Sequence, residues 1–351
     1  MTSASAFAAE KLVLVAGGGA GEDGGPALQA KLNAPFGVEF DRAGNLYFVE
    51  MYGHQLRVIE KNGIVRTLVG AAGKGFSNDM LSAEKAQLNG PHSLAIDADD
   101  RIYLADTWNN AIRLYDPSKK TLSTVVGNGE KQFVGDGGPA KDARFNEMYD
   151  AIFDKSREKL YLVDLQNRRI RVWDRKADRV TTVAGNGQKG VPQDGAVAVD
   201  APLVDPRAVA VDAPGNIYIL ERGGNALRVV EHDTGKIRTV AGTGKKGPLT
   251  PDGPALQATL NGPKYLWCDA KNDVLIADSD NHCIRKYLAK TGELVLVAGT
   301  GKAGKAGLDG PPREAQLNQP HGVYEAPNGT LYISDSSNHR ILKIVDDRHA
   351  E

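Results

Sequence analysis

The sequence predicts an all-β fold, a six-bladed β-propeller of four-stranded antiparallel blades closed by an N-terminal strand that completes the last blade. Three observations carry that expectation. A unit entered through NAPFGV, NGPHSL, NEMYDA, VDPRAV, NGPKYL and NQPHGV begins at Asn33, Asn89, Asn146, Val204, Asn261 and Asn318, at steps of 56 to 58 residues. Each unit holds short runs that alternate apolar and polar residues, the period of strands with two different faces. The sixth unit stops after three strands, while a strand with no predecessor stands near the N-terminus.

In chain order, the lone strand is KLVLVAG from Lys11. Each unit then opens on a short apolar run entered, in most copies, through a Pro. A second strand follows: NLYFVE, RIYLAD, KLYLVD, NIYILE, DVLIAD and TLYISD. A polar corner leads into a third, QLRVIE, AIRLYD, RIRVWD, ALRVVE, CIRKYL and RILKIV. The fourth ends VRTLVG, LSTVVG, VTTVAG, IRTVAG and LVLVAG, in the first five units only. An unpaired sheet edge invites aggregation, and pairing Leu12 to Ala16 with the sixth unit removes it by closing the ring. Residues 11–345 therefore read as one domain, with 346–351 as a tail.

The chain has 351 residues, 40 glycines, 17 prolines and 41% hydrophobic residues, a turn-rich composition with enough apolar content for a core. A net charge of −1 supplies no bulk field for nucleic acid or an anionic membrane, and no apolar run approaches the roughly 18 to 20 residues that span a bilayer. Neither partner is expected, and neither is self-association beyond a monomer. Residues 1–10 read either as the remainder of a secretory leader, from MTSASAFAA, or as a disordered terminus. The first reading places the protein outside the cytoplasm, in the periplasm or secreted; a cytoplasmic location stays open. Cys268 and Cys283 lie one strand apart, about 9 to 10 Å by strand spacing, beyond disulfide reach. Both are expected to be free.

Strand order places the polar corners and the long connections between units on one face, with short turns opposite. The connections, such as residues 17–35, predict an Asp-initiated turn followed by about two turns of helix over PALQAKL, with the Asp as cap. Side-chain variety concentrates on this long-loop face, where a binding site is expected. The acids that close the second strands, Glu50, Asp106, Asp164, Glu221, Asp278 and Asp335, read as corner residues accepting backbone N–H groups. Arg57, Arg113, Arg171, Arg228 and Arg285 pair with them, and Leu342 breaks that series. His282 and His339 belong to the corner phrase and read as turn residues.

Departures from the repeat carry the functional expectation. Glu50 and Glu221 stand where other units have Asp, and the extra methylene suggests a carboxylate free to point elsewhere. One position of the first strand, nearest the channel, reads Phe36, His92, Tyr149, Arg207, Lys264 and His321. Neighbouring departures add Asp150, Arg222 and Tyr265. These residue types cover acid and base work, metal ligation and anion binding. His92, His321 and Glu50 form one arc, a candidate divalent-metal set for zinc or calcium. Tyr149, Arg207 and Glu221 face it as candidate catalytic groups, with Lys264 beside them. Two readings stay open: a pocket for a small polar or anionic molecule or a peptide segment, and a metal-assisted lyase or hydrolase at the same mouth.

The phrases PHGV at Pro320 to Val323 and DSSNHRI at Asp335 to Ile341 resemble those of the NHL-repeat family, whose members are six-bladed propellers. The resemblance covers nearly the whole chain. Within such propellers the peptidyl-hydroxyglycine amidating lyase is similar. It implies a His-bound zinc, an Arg and a Tyr, which map onto His92, His321, Arg207 and Tyr149. Where that pattern has a third His this sequence has Arg207. Lactonase-type propellers imply acidic calcium ligands, for which Glu50, Glu221 and Asp150 are the matching residues.

Overall fold

The computed structural model describes residues 10–77, 79 and 81–346, so the leader reading and most of the tail fall outside the described residues. Six antiparallel sheets form the blades, three of four strands as expected and three of five, the fifth being a two-residue outer-edge strand from the long connection, Leu81–Ser82, Ala196–Val197 or Gly253–Pro254. In blade 1 the strands are Pro35–Phe40, Leu46–Glu50, Gln55–Ile59 and Val65–Val69, paired in chain order. The innermost strands of blades 2 to 6 are Ser93–Ile96, Met148–Phe153, Pro206–Val211, Tyr265–Cys268 and Gly322–Glu325. Each packs on the innermost strands of its two neighbours, and the circuit returns from blade 6 to blade 1. Glu10–Ala16 pairs antiparallel with Arg340–Asp346, Leu12 opposite Ile344 and Ala16 opposite Ile341, and so forms the outer strand of the sheet that holds the last three strands. Leu12 is fully buried there. Among the described residues no helix is long and apolar enough to cross a membrane. Both cysteines are free and buried.

The long connections differ from expectation. In place of two helical turns, each complete one folds a single three-residue 3-10 turn, Ala27–Gln29 in the first, whose leading Ala is buried and whose cap Ala30 is already extended at ψ 144°. The chain must re-enter an innermost strand a few residues later, which leaves no room for a second turn. The preceding Asp caps nothing. Asp136 instead accepts from Thr182 N–H and binds Arg171, and Asp252 accepts from Leu296 N–H and binds Arg313.

The polar corners explain the acids. In all six blades one carboxylate oxygen accepts the N–H of the residue that leads into the innermost strand, at 2.6 to 2.9 Å. Glu50 and Glu221 make the same bond as the four Asp residues, which overturns the expectation of a freed carboxylate. The reason lies three residues on. Asn109, Asn167, Asn281 and Asn338 donate their amides to the Asp residues at 2.8 to 2.9 Å. In blades 1 and 4 that residue is Gly53 or Gly224, and a Cβ there would lie 2.6 Å from the Glu Oε2. The longer acid fills the space that the Asn amide occupies elsewhere.

Third-strand arginines complete the corner. Arg57 lies 3.2 Å from Glu50 and Arg228 2.7 Å from Glu221. Arg113 and Arg171 lie 3.7 Å from Asp106 and Asp164, with both partners of each pair fully buried. Where Leu342 breaks the series, Arg340 reaches in from the strand's first residue and binds Asp335 at 2.7 Å. The same guanidinium groups donate to long-connection carbonyls, Arg57 to Lys31, Arg171 to Arg144 and Val134, and Arg340 to Lys305 and Gln316.

His282 and His339 do more than turn the chain. Each sits in the left-handed region, φ 51° and 54°, a conformation that His tolerates better than most residues. Nδ1 of His282 accepts Gln319 N–H of the next blade at 3.1 Å, and Nδ1 of His339 accepts Ala34 N–H across the junction between blades 6 and 1 at 3.0 Å. His54, Asn110 and Asn225 do the same toward Gly90, Glu147 and Gly262. At the junction of blades 3 and 4 the corner residue is Arg168, which has no acceptor.

The Glu–Gly and Asp–Asn corners are alternative packings of one space. Gly53→Asn alone should destabilise the fold by about 1–3 kcal/mol through overpacking against Glu50. Gly53→Asn combined with Glu50→Asp should return to within about 1 kcal/mol of the parent, since close neighbours couple. Urea unfolding of the two variants and of Glu50→Asp checks this, and additive single effects would refute the pairing.

Candidate functional site

The innermost strands run from the long-loop face to the short-turn face, so their first residues meet at the channel mouth. In blade 3 the pairing is irregular between Met148 and Ala151, and the adjacent residues Tyr149 and Asp150 both line the channel mouth. Phe36, His92, Tyr149, Asp150, Arg207, Lys264, Tyr265 and His321 line one cavity there, so eight of the nine residues expected to bind ligand come together. Arg222 is the exception. It is partly exposed beside the mouth and pairs with Asp205 at 2.9 Å.

The mouth is packed, with a cavity of about 10 Å3, room for roughly one water. The six equivalent residues interlock. Arg207 lies 3.7 Å over the ring of Tyr149. Tyr149 meets His92 edge-on at 4.5 Å, His92 meets Phe36 at 5.1 Å, and Phe36 stacks on His321 at 4.1 Å with an interplanar angle of 18°. Lys264 of blade 5 completes the ring and binds Asp280 at 3.2 Å.

The imidazoles are locked. Nδ1 of His92 lies 2.8 Å from Gly90 O and Nδ1 of His321 lies 2.7 Å from Gln319 O. A carbonyl only accepts, so Nδ1 carries the proton in both and Nε2 keeps a bare lone pair. Burial, then the charge of Arg207, holds His92 well below the ordinary histidine range; burial, then Lys264 and Arg207, does so for His321.

The acid beneath is also perturbed. Asp150 accepts Val209 N–H from the next blade at 3.0 Å, and burial pushes its carboxyl up to about 6. Burial likewise raises the Tyr265 phenol well above its usual range. Arg207 is the unusual member. It is 5% exposed, and among the described residues its guanidinium makes no hydrogen bond and no ion pair. Burial draws it down to about 10, which leaves it charged at neutral pH. The carboxylates nearby are engaged by others, Asp280 by Lys264, Asp205 by Arg222 and Asp150 by backbone N–H groups.

The structure separates the other expected groups. Glu50 is bound to Arg57 and Asn33 N–H, and so does not join His92 and His321 in a metal set. Among the described residues no three His, Cys, Asp or Glu side chains are placed to share an ion. The residues present therefore do not fit the zinc centre that the lyase resemblance implies. Glu221, bound to Arg228 and Val204 N–H, is likewise apart from Tyr149 and Arg207. Two features escaped sequence reasoning. Arg340 was masked because it enters two residues before the repeat position. Glu39, a buried acid lower in the channel, stands at a position that reads Ala95, Ile152, Ala210, Trp267 and Tyr324 in the other blades. One acid among apolar copies was the available signal.

The locked imidazoles have a measurable consequence. Imidazole 15N shifts at pH 6 should show two neutral side chains protonated on Nδ1. Because the unfolded chain takes up protons below about pH 6.5 that these buried rings refuse, the two histidines contribute a fall in stability as the pH drops from 6.5, opposed by the buried carboxyls of Asp106, Asp150 and Asp164 that are raised to about 6. The fall should lessen in a His92→Gln, His321→Gln variant; charged imidazolium signals at pH 6 would contradict the assignment.

The sequence model described as Teneurin NHL domain matches residues 16–78 and 84–254, and that described as NHL repeat matches residues 317–344. The protein SUPPRESSOR OF QUENCHING 1, chloroplastic, of Arabidopsis thaliana is 29% identical over 341 residues, covering 93% of this chain and 31% of that protein. NHL repeat-containing protein 2 of Bos taurus is 25% identical over 343 residues, covering 89% of this chain and 46% of that protein. The chain thus spans less than half the length of either relative. Among solved structures, an auxiliary nutrient binding protein from Bacteroides thetaiotaomicron has a TM-score of 0.69 at 16% identity, covering 96% of this chain and 76% of that one. A gluconolactonase from Xanthomonas campestris has a TM-score of 0.61 at 12% identity, covering 97% and 93%. At such identities the likeness is one of fold. The repeat phrases, the six blades and a family model that spans most of the chain agree: the chain belongs to the Teneurin NHL domain family of NHL-repeat propellers.

Proposed function

We propose that this chain is a binding module that grips the anionic group of a small molecule or of a peptide segment at the long-loop mouth of its channel. The single observation behind the reading is Arg207, a buried guanidinium held over the ring of Tyr149 with no acid of its own. Burying a charge without a partner is costly. A planar donor fork suits a carboxylate or a phosphate, which would supply the missing acceptors. Lys264 and Arg222 add positive charge beside it, each already balanced by one acid. The bare Nε2 atoms of His92 and His321 supply acceptors for a hydroxyl or amide on the same ligand.

The size of the cavity limits what enters. With room for about one water, the mouth admits the tip of an anionic group while the body of the ligand lies on the loops above. The fold likeness to a nutrient-binding protein is compatible with such a role and adds no ligand identity.

Thermal unfolding in the presence of inorganic phosphate or succinate, at low ionic strength and pH 7, tests the reading. The parent protein should be stabilised, because a ligand that binds the native state raises its midpoint by mass action. Arg207→Gln should abolish that rise, and Lys264→Gln should weaken it by about tenfold in affinity. No rise with either anion, or an equal rise in Arg207→Gln, would overturn the assignment.

A further inference from the structure

The larger space in the channel lies at its other end. Where the innermost strands run out on the short-turn face, a cavity of about 190 Å3 opens between blades 1, 3, 4 and 5. Its walls are the aromatic rings of Phe153 and Trp267, with Ile152 and Val211 between them. Glu39 reaches it from blade 1, and Lys155 and Arg157 stand in the turn that follows Phe153. The volume is nearly twenty times that of the long-loop mouth.

We propose that this cavity is a second ligand site, for a small flat aromatic monocarboxylate whose ring lies against Trp267 and Phe153 and whose carboxylate meets Lys155, Arg157 and Glu39. Four observations lead to that chemistry. The cavity combines apolar walls with a few convergent polar groups, the usual composition of a small-molecule pocket. Lys155 is exposed and, among the described residues, has no acid partner. The rim acid Asp154 is engaged by Ser156, Glu158 and Lys159 within its own turn. Arg157 is anchored by Ile96 O and Asp97 O at 2.8 and 3.1 Å, which leaves its second amino group facing Glu39 at 3.7 Å.

Glu39 has the part of a donor. One of its oxygens accepts Ile96 N–H at 3.0 Å. The ionisable groups around it are Arg157, the phenols of Tyr265 and Tyr324, and, along the cavity, Asp154, Lys155 and the Cys268 thiol. Burial outweighs Arg157 and pushes the Glu39 carboxyl up to about 8. At neutral pH it is therefore protonated, and its O–H can bond a ligand carboxylate that an ionised Glu39 would repel. Well above pH 8 the competent form shrinks about tenfold per unit, so affinity falls in step.

Benzoate titrated into the full chain, with binding read by calorimetry and by the part of the intrinsic tryptophan fluorescence that a Trp267→Phe variant loses, tests the site. Expected are one site per chain at pH 6.5, a loss of about fivefold between pH 8 and pH 9, and far weaker binding of acetate, which lacks the ring. Glu39→Gln should bind at pH 9 as at pH 6.5, and Lys155→Ala should weaken binding at both. Arg207→Gln should leave benzoate binding unchanged, which separates this site from the long-loop mouth. Circular dichroism of each variant establishes that the blades persist. No benzoate binding to the folded parent, binding abolished by Arg207→Gln, or a Glu39→Gln variant with the parent's pH dependence would each overturn the proposal.

Discussion

The structure depends on a buried carboxylate and guanidinium repeated at every corner of the ring, within 3.7 Å of each other in five blades, while Arg285 of the fifth blade bonds Thr250 and Thr259 in place of a direct contact with Asp278. Each corner takes a carboxylate and a guanidinium out of water, and the perturbations run in the directions that desolvation dictates: Asp106 and Asp164 are pushed up to about 6, and Arg113 is drawn down. Burial therefore outweighs pairing, and the pairs are poor sources of stability in themselves. Their effect is to specify geometry. A buried guanidinium must find acceptors for its donors, and in five blades these are carbonyls of the long connection entering the same blade, while Arg228 of blade 4 donates to the Thr239 hydroxyl. The corner thereby ties second strand, third strand and incoming loop to one point. Left-handed His and Asn residues on those corners then tie each blade to the next, at every junction but that of blades 3 and 4.

This constraint separates scaffold from site. Groups that look reactive in isolation, such as Glu50 and Glu221, are consumed by the corner because leaving a buried N–H and a buried guanidinium unpaired costs more than any freedom the longer side chain gains. The channel residues are under no such obligation. Their position varies from Phe36 to Lys264 because nothing in the blade requires a particular side chain there. The long-loop end has used that freedom to build an interlocked aromatic and cationic plug. The short-turn end leaves an open space beside a protonated acid. The two ends differ in electrostatic character as well: above, a charged group lacks an acid; below, an acid lacks its charge.

Some of this was legible in the chain. The repeat step, the alternation and the missing sixth outer strand specify blade number and closure, because pairing and burial act on short runs that the sequence displays directly. The channel position was legible too, as the place where six copies disagree. The corner swap was present in writing, Gly53 beneath Glu50 and Gly224 beneath Glu221, but it becomes meaningful only when side chains three residues apart are seen to compete for one space. Arg340 shows the same limit. A guanidinium on a long stem can enter a site from two residues away, so a strict repeat position misses it.

The sequence by itself determined the blades, their number and the strand position whose side chains meet at the long-loop mouth, since those follow from period, spacing and polarity. Only the tertiary structure decided which of those side chains meet. Distance across the channel, the tautomers of His92 and His321, the isolation of Arg207 and the protonation of Glu39 depend on residues from different blades brought together at one axis, up to some 300 positions apart along the chain. Desolvation and pairing act through space, and a linear text does not record which groups share it.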